Sequence, residues 1–236
     1  MRRYLLRFPK FTGPARAYFN YYFGEKEILF LQKFLKNEKN FNFFDIGANY
    51  GIYTFLFGKK ADKVFVFEPI EECINYIKLG YKKNNIVYIN KILSDTNQKK
   101  LIKIPIYDNQ KIFGKSSVDN QFAKSEKREL QALSLDEFIK EANFDRELLG
   151  ILKIDCEGHE LNIIKGAKNF LKNSKLLLLI EIEKRHNPKF LNVFMELINL
   201  NYDVFIFKNK NLQELENINE IETIMKNENN FLFKNF

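Results

Sequence analysis

Hydrophobic and polar positions alternate along this chain in two rhythms. The stretch "EKEILFLQKFLK", Glu25 to Lys36, places Ile28, Leu31, Phe34 and Leu35 on one helical face, so a helix precedes the first strand. "FNFFDI" at Phe41 to Ile46 is a short apolar run of strand length. "KVFVFEP" is a second, stopped by Pro69, and "NIVYIN", "LGILKID" and "KLLLLIEI" are three more. Between them, "IEECINYIKLGYKKN", "HELNIIKGAKNFLKN" and "NPKFLNVFMELINL" carry the 3.6-residue period of covering helices. Continuous apolar strands alternating with helices predict a mostly parallel sheet buried on both faces. Two last strands, "YDVFIF" and "NNFLFKN", are expected as an antiparallel pair at its end. From residue 91 to 133 the pattern weakens to short pieces such as "LIKIPI" and polar turns, which reads as an insertion of the kind that shapes a substrate entrance. The expected division is a helical extension over 1–40 and an α/β domain over 41–236.

Composition narrows the class. With 45% hydrophobic residues and 25 phenylalanines in 236 positions, the chain can bury a full core, which excludes disorder as a whole-chain state. Cys73 and Cys156 stand far apart with no CxxC or metal-ligand spacing, which argues against a disulfide framework or structural zinc and fits a reducing cytoplasm. The start, "MRRYLLRFPKF", is interrupted by Arg7 and Pro9 before it reaches the length of a signal sequence, and no run approaches the roughly 20 apolar residues of a membrane span. A net charge of +8 suits a nucleic acid, an anionic membrane or an acidic glycan, but it is spread without a basic block.

The chemistry is carried by the strand exits. In an open parallel sheet, ligands gather beyond the carboxyl ends of the strands, and glycines in the first turn let the backbone approach them closely. Gly47 and Gly51 of "DIGANYG" meet that need, and Glu68, at the end of the second strand, is placed to accept hydrogen bonds from a ribose. The GxGxxG pattern and the GK[ST] ending are both absent, and the carboxylate of Asp45 would repel a pyrophosphate. A nucleoside cofactor without phosphate and with positive charge, S-adenosylmethionine, suits an acidic glycine loop.

At the fourth strand exit, "LKIDCEGHE" offers Asp155, Glu157 and His159. If the backbone stays extended, the three side chains share one face. Acid/base work and substrate positioning, a divalent metal held by two carboxylates and an imidazole, and simple capping of the helix that follows are all open to them. Lys153, in an apolar strand, needs a carboxylate partner, and Cys156 reads as a small core residue. Glu181 and His186 leave the neighbouring strand beside them.

Four segments in this order, "FFDIGANYGIYT", "VFVFEP", "LSLDEFI" and "LKIDCEGHELNIIKGA", resemble the FkbM family of S-adenosylmethionine-dependent methyltransferases, over about Tyr22 to Glu183. The resemblance implies the class I methyltransferase fold, a seven-stranded sheet in the order 3-2-1-4-5-7-6, and methylation of a hydroxyl. It implies that Asp45, Gly47, Asn49 and Gly51 form the cofactor loop, that Glu68 holds the ribose, and that Ser94 and Asp95 lie beside the adenine. Catalytic duty would fall first on His159 with Asp155 and Glu157, then on His186, with no metal. The expected acceptor is a sugar in a surface glycan or its precursor, with a phosphate-bearing or lipid-linked carrier in keeping with the basic charge. A nucleic-acid substrate is disfavoured because "DCEG" stands where amino-directed DNA enzymes resemble [DNS]PP[YFW]. A non-catalytic nucleoside-binding protein is the remaining alternative.

Overall fold

The computed structural model describes residues 25–208 and 211–236, so the N-terminal segment "MRRYLLRFPKF" lies outside the described residues. Strand β1 (Phe41–Ile46) alternates its side chains between two layers. Phe44 and Ile46 enter one core, and Phe41 and Phe43 enter the other. That alternation organises the molecule. On the second face, helix α1 (Lys26–Phe34) inserts Ile28 and Leu31, α2 (Ile52–Phe57) inserts Phe57, and α3 (Glu71–Gly80) inserts Ile74 and Ile77. The first face is covered by α4 (Leu135–Glu141), α5 (Glu160–Lys165), α6 (Lys168–Asn173) and α7 (Phe190–Ile198). Burying both faces of a sheet in this way favours near-continuous apolar strands, and β1 is buried at all six positions, with only Asn42 and Asp45 polar.

Strands β2 (Lys63–Phe67), β3 (Ile86–Ile89), β8 (Leu149–Ile154) and β9 (Leu176–Glu181) run parallel with β1. Beyond β9, β12 (Asn230–Lys234) is antiparallel and pairs with β10 (Asp203–Lys208), the antiparallel ending that the sequence suggests. In chain order these seven strands lie 3-2-1-4-5-7-6, and β11 (Asn211–Glu214) adds an eighth at the edge. The segment "NLQE" has no apolar alternation, because an edge strand can meet water on both faces.

The weakly patterned segment folds as a separate sheet of four strands, β4 (Ile92–Leu93), β5 (Lys99–Tyr107), β6 (Gln110–Lys111) and β7 (Ser125–Leu133). They lie in the order β4-β7-β5-β6. Ile92, Ile102, Ile104 and Ala132 close a small core with Ile70 and Cys73 at the start of α3. This docks the second sheet over the C-terminal ends of β1, β2 and β8. Among the described residues, no helix is long and apolar enough to cross a membrane.

Candidate active site

The first rim is built by the turn after β1. Gly47 and Ala48 donate their backbone N–H groups to Phe67 O, at 2.9 and 3.3 Å, which ties this turn to the end of β2. Gly47, Asn49 and Gly51 all have positive φ, of 75°, 50° and 77°. Glycine and asparagine are the residues that adopt this backbone at least cost. A Cβ on Gly47 would lie 2.0 Å from the backbone oxygen of Asp155, so it is the neighbouring strand exit, rather than a ligand, that forbids a side chain there.

Asp45 shares the face of Phe43 and therefore points toward α2. It accepts hydrogen bonds from the backbone N–H (2.9 Å) and the hydroxyl of Thr54, and burial lifts its pKa to about 6. Its carboxylate thus fixes the loop from beneath instead of facing a ligand directly. Glu68 is also buried, and its two oxygens accept from Asn49 N at 2.7 Å and Ile70 N at 2.8 Å. Burial raises its pKa to about 7 against those two bonds. Each carboxylate oxygen keeps a further lone pair, and Glu68 lines the cleft.

Phe67, Ile92, Leu93, Ile102, Phe113 and Val118 form the apolar walls of this cleft. Ser116 also lines it, and the Ser116 Oγ is buried with no partner among the described residues. Ser94 and Asp95 are not part of this wall. Ser94 is fully buried behind it, donating to Asp95 Oδ1 at 2.9 Å and meeting His159 Nε2 at 2.9 Å, while Asp95 faces Lys100 at 3.6 Å.

The second rim departs from the extended geometry. Glu157 has φ of 50° and Gly158 of 102°, so the chain turns sharply after Asp155 and the three side chains do not share a face. His159 swings back into the wall of the first cleft, only 3% exposed. Its Nδ1 pairs with Asp119 Oδ2 and its Nε2 with Ser94. With both ring nitrogens engaged, it has no free lone pair for an acceptor's proton.

His186 lines a small recess beside the cleft, with Asp155, Glu157 and Glu183. Its Nδ1 lies 2.8 Å from Glu157 Oε2 and 3.2 Å from Glu183 Oε2, and desolvation lowers its pKa. Lys153 is buried and sits 4.0 Å from Asp155 and 3.9 Å from Glu181, with the Tyr53 ring 5.4 Å away. Despite the burial that opposes its charge, these carboxylates raise its pKa, so it stays a cation. Glu157 rises to about 8, mainly through desolvation, and Glu181 is pushed up by the neighbouring Asp155. Cys156 is partly buried and packs against the main core, with its thiol held well above the usual range by burial. Among the described residues, no group of three or more histidines, cysteines or carboxylates is disposed to hold a metal ion.

A family model described as the methyltransferase FkbM domain matches residues 45–227. The chain belongs to the FkbM methyltransferase family. Solved structures similar to it include a methyltransferase FkbM from Methylobacillus flagellatus KT, at 15% identity over 81% of this chain and 43% of that one, with a TM-score of 0.49. The match therefore spans less than half of the Methylobacillus protein. Others are SMU.1697c of Streptococcus mutans in complex with SAH, at 14% identity, 87% and 94% coverage and a TM-score of 0.44, and a SAM-dependent methyltransferase of Leishmania major, at 10%, 89% and 71%, and 0.43. No curated protein matches the chain.

As an FkbM methyltransferase, the protein has a class I fold and uses S-adenosylmethionine. Its residues fit that group. Glu68 retains acceptor capacity for two ribose hydroxyls, the apolar walls suit an adenine, and the unpartnered Ser116 hydroxyl is available to a polar edge. Sequence reasoning missed Asp119, Ser116 and Glu183. Asp119 and Ser116 belong to a polar turn, "GKSSVDN", whose composition marks a loop without saying what it touches.

Proposed function

We propose that this FkbM methyltransferase moves the methyl group onto a hydroxyl, that of a sugar in a surface glycan or its precursor, and does so in the cytoplasm. The cofactor would supply a methyl already activated on a sulfonium. Asp45, Gly47, Asn49 and Gly51 would shape its loop, and Glu68 would hold its ribose. The observation that carries the reading is the contact of His186 Nδ1 with Glu157, which lines both the cleft and the recess that holds His186. With Nδ1 as the donor, the acceptor lone pair is left on Nε2, where a weakly acidic hydroxyl can deliver its proton as its oxygen bonds to the methyl carbon. Glu183, 3.2 Å from the same Nδ1, would then stabilise the imidazolium that forms. Asp155, 39% exposed and beside Lys153, would orient the hydroxyl. Positioning of this kind supplies much of the acceleration when the leaving group is activated beforehand.

Mass spectrometry of surface glycans from a deletion strain tests the reading. The expected result is loss of one methyl group from a sugar, restored by the wild-type chain and not by His186→Ala. Unchanged glycans together with a methyl missing from RNA or lipid would move the function to that acceptor.

A further inference from the structure

Lysines that stand scattered along the chain are gathered by the fold. Strands β1, β2 and β3 run parallel and adjacent, so the turns that lead into them share one rim of the sheet, opposite the strand exits that form the cofactor cleft. Lys36 and Lys39 precede β1, Lys59 and Lys60 precede β2, and Lys82 and Lys83 precede β3. All six are exposed. The same turns hold two carboxylates, Glu38 and Asp62. None of the six lysines takes part in an ion pair among the described residues. Residues 1–24 and 209–210 contain no aspartate or glutamate that could supply a partner. Lys83 Nζ donates to the backbone oxygen of Lys59 at 2.5 Å, which draws the second and third turns together. Adjacent strands lie about 5 Å apart, so the three turns fall within roughly one screening length and their fields add.

Apolar side chains stand exposed in the same stretch. Leu79, in the last turn of α3, is 75% exposed, and Val87 of the edge strand β3 is 41% exposed. Lys78, Lys82 and Lys83 line a shallow depression there with Tyr81, Ile86 and Tyr88. A nucleic acid would meet the positive charge, but surfaces that hold nucleic acids rely on arginine forks and on bare aromatic faces for stacking. These turns contain no arginine, Tyr81 is buried, and Lys78 Nζ already lies 5.4 Å from the centre of the Tyr88 ring. An anionic bilayer meets both features, because its phosphates take the ammonium groups and its headgroup boundary takes an apolar side chain.

We propose that this rim docks the protein onto an anionic membrane surface, with Lys82 and Lys83 at the lipid phosphates and Leu79 in the headgroup boundary. The cofactor cleft then faces away from the bilayer, about 17 Å further out across the length of β2. The inference does not depend on which acceptor is methylated.

Sedimentation of the full chain with lipid vesicles tests it. Vesicles of phosphatidylcholine mixed with phosphatidylserine should bind the protein, vesicles of phosphatidylcholine alone should not, and added salt should release it. Each ammonium near such a surface is worth about fivefold in affinity, so Lys82→Gln combined with Lys83→Gln should weaken binding roughly 25-fold. Leu79→Ser should weaken it roughly tenfold at unchanged charge. S-adenosylhomocysteine affinity, measured by calorimetry, should be the same in every variant, which also reports that the variants fold. Equal binding to both kinds of vesicle, or no binding to either, overturns the proposal. Wild-type binding in the lysine variant or in Leu79→Ser also overturns it, and would place the contact on cations elsewhere in the chain. Lysine-dependent capture of a single-stranded RNA oligomer in place of the vesicles would assign the rim to nucleic acid instead.

Discussion

Glu68 joins the cofactor loop to the second strand, because one carboxylate takes an N–H from Asn49 and another from Ile70. Burial raises its pKa from 4.5 to about 7, so near neutrality a large share of the free protein carries it protonated. With the ribose held by Glu68 as proposed, a protonated carboxyl presents a donor where the ribose also presents donors, and cofactor affinity should rise as pH climbs through about 7. Calorimetry from pH 6 to 8 checks this. Glu68→Gln, which cannot ionise, should weaken binding by roughly 1–3 kcal/mol at pH 8 and flatten the dependence. An unchanged slope in the variant would assign the pH effect to another group. This residue was legible in the sequence because an acid after an apolar strand and before Pro69 has a fixed place in the fold. The actual work of Asp45 was not, because the Thr54 that claims its carboxylate lies nine positions on, across a turn whose three positive-φ residues no periodicity reveals. The surroundings of His159 were hidden for the same kind of reason. The turn at Glu157 and Gly158 parts its imidazole from the side chains of Asp155 and Glu157, which an extended reading of "DCEGH" puts on one face.

At the scale of elements, the second sheet reaches the site through the segment between β6 and β7. Ser117 Oγ and Asn120 Nδ2 both donate to Glu157 O, at 2.8 and 2.9 Å, while Asp119 holds His159 from the same turn. These contacts fasten the roof of the cofactor cleft to the strand exit that carries Glu157, and the proposed duty of His159 is to position that exit. If that is its whole role, His159→Ala and Asp119→Ala break one connection, and the double variant should be no worse than either single one. Each is expected to raise KM for S-adenosylmethionine severalfold with a smaller fall in kcat. Steady-state kinetics of the four proteins gives the answer. Were His159 the base, its loss would cut kcat about 100-fold or more and Asp119→Ala would not match it. The main sheet was readable because strands buried on both faces leave continuous apolar runs. The small sheet was harder to read, since β5 and β7 alternate irregularly and β6 is two exposed residues long.

For the molecule as a whole, the site concentrates carboxyl groups that prefer to keep their protons. Asp45, Glu68 and Glu157 have pKa values lifted by burial to about 6, 7 and 8, from 3.8, 4.5 and 4.5. Between the unfolded and folded values the native state binds more protons than the unfolded chain, so stability is greatest below the unfolded values and declines as pH rises through the folded ones. Glu72, held down to about 2 by Arg128, has the opposite sign, but its stabilisation is lost only as pH falls below 4.5 and it does not enter the neutral window. A shift of one unit is worth about 1.4 kcal/mol, which makes a combined effect of several kcal/mol plausible for three groups. The melting temperature should therefore fall by roughly 10 °C from pH 5.5 to 8.5. Differential scanning calorimetry across that range measures it, and Glu157→Gln should remove the part of the decline between pH 7 and 8. S-adenosylmethionine carries a sulfonium that S-adenosylhomocysteine lacks, and a cation beside these groups favours their ionised forms. The extra stabilisation by the former over the latter should consequently be larger at pH 8 than at pH 6. A melting temperature that is flat or rises over this interval would mean that the carboxyl groups of the site are ionised in the free protein and that its acid-rich lining exacts no cost in stability.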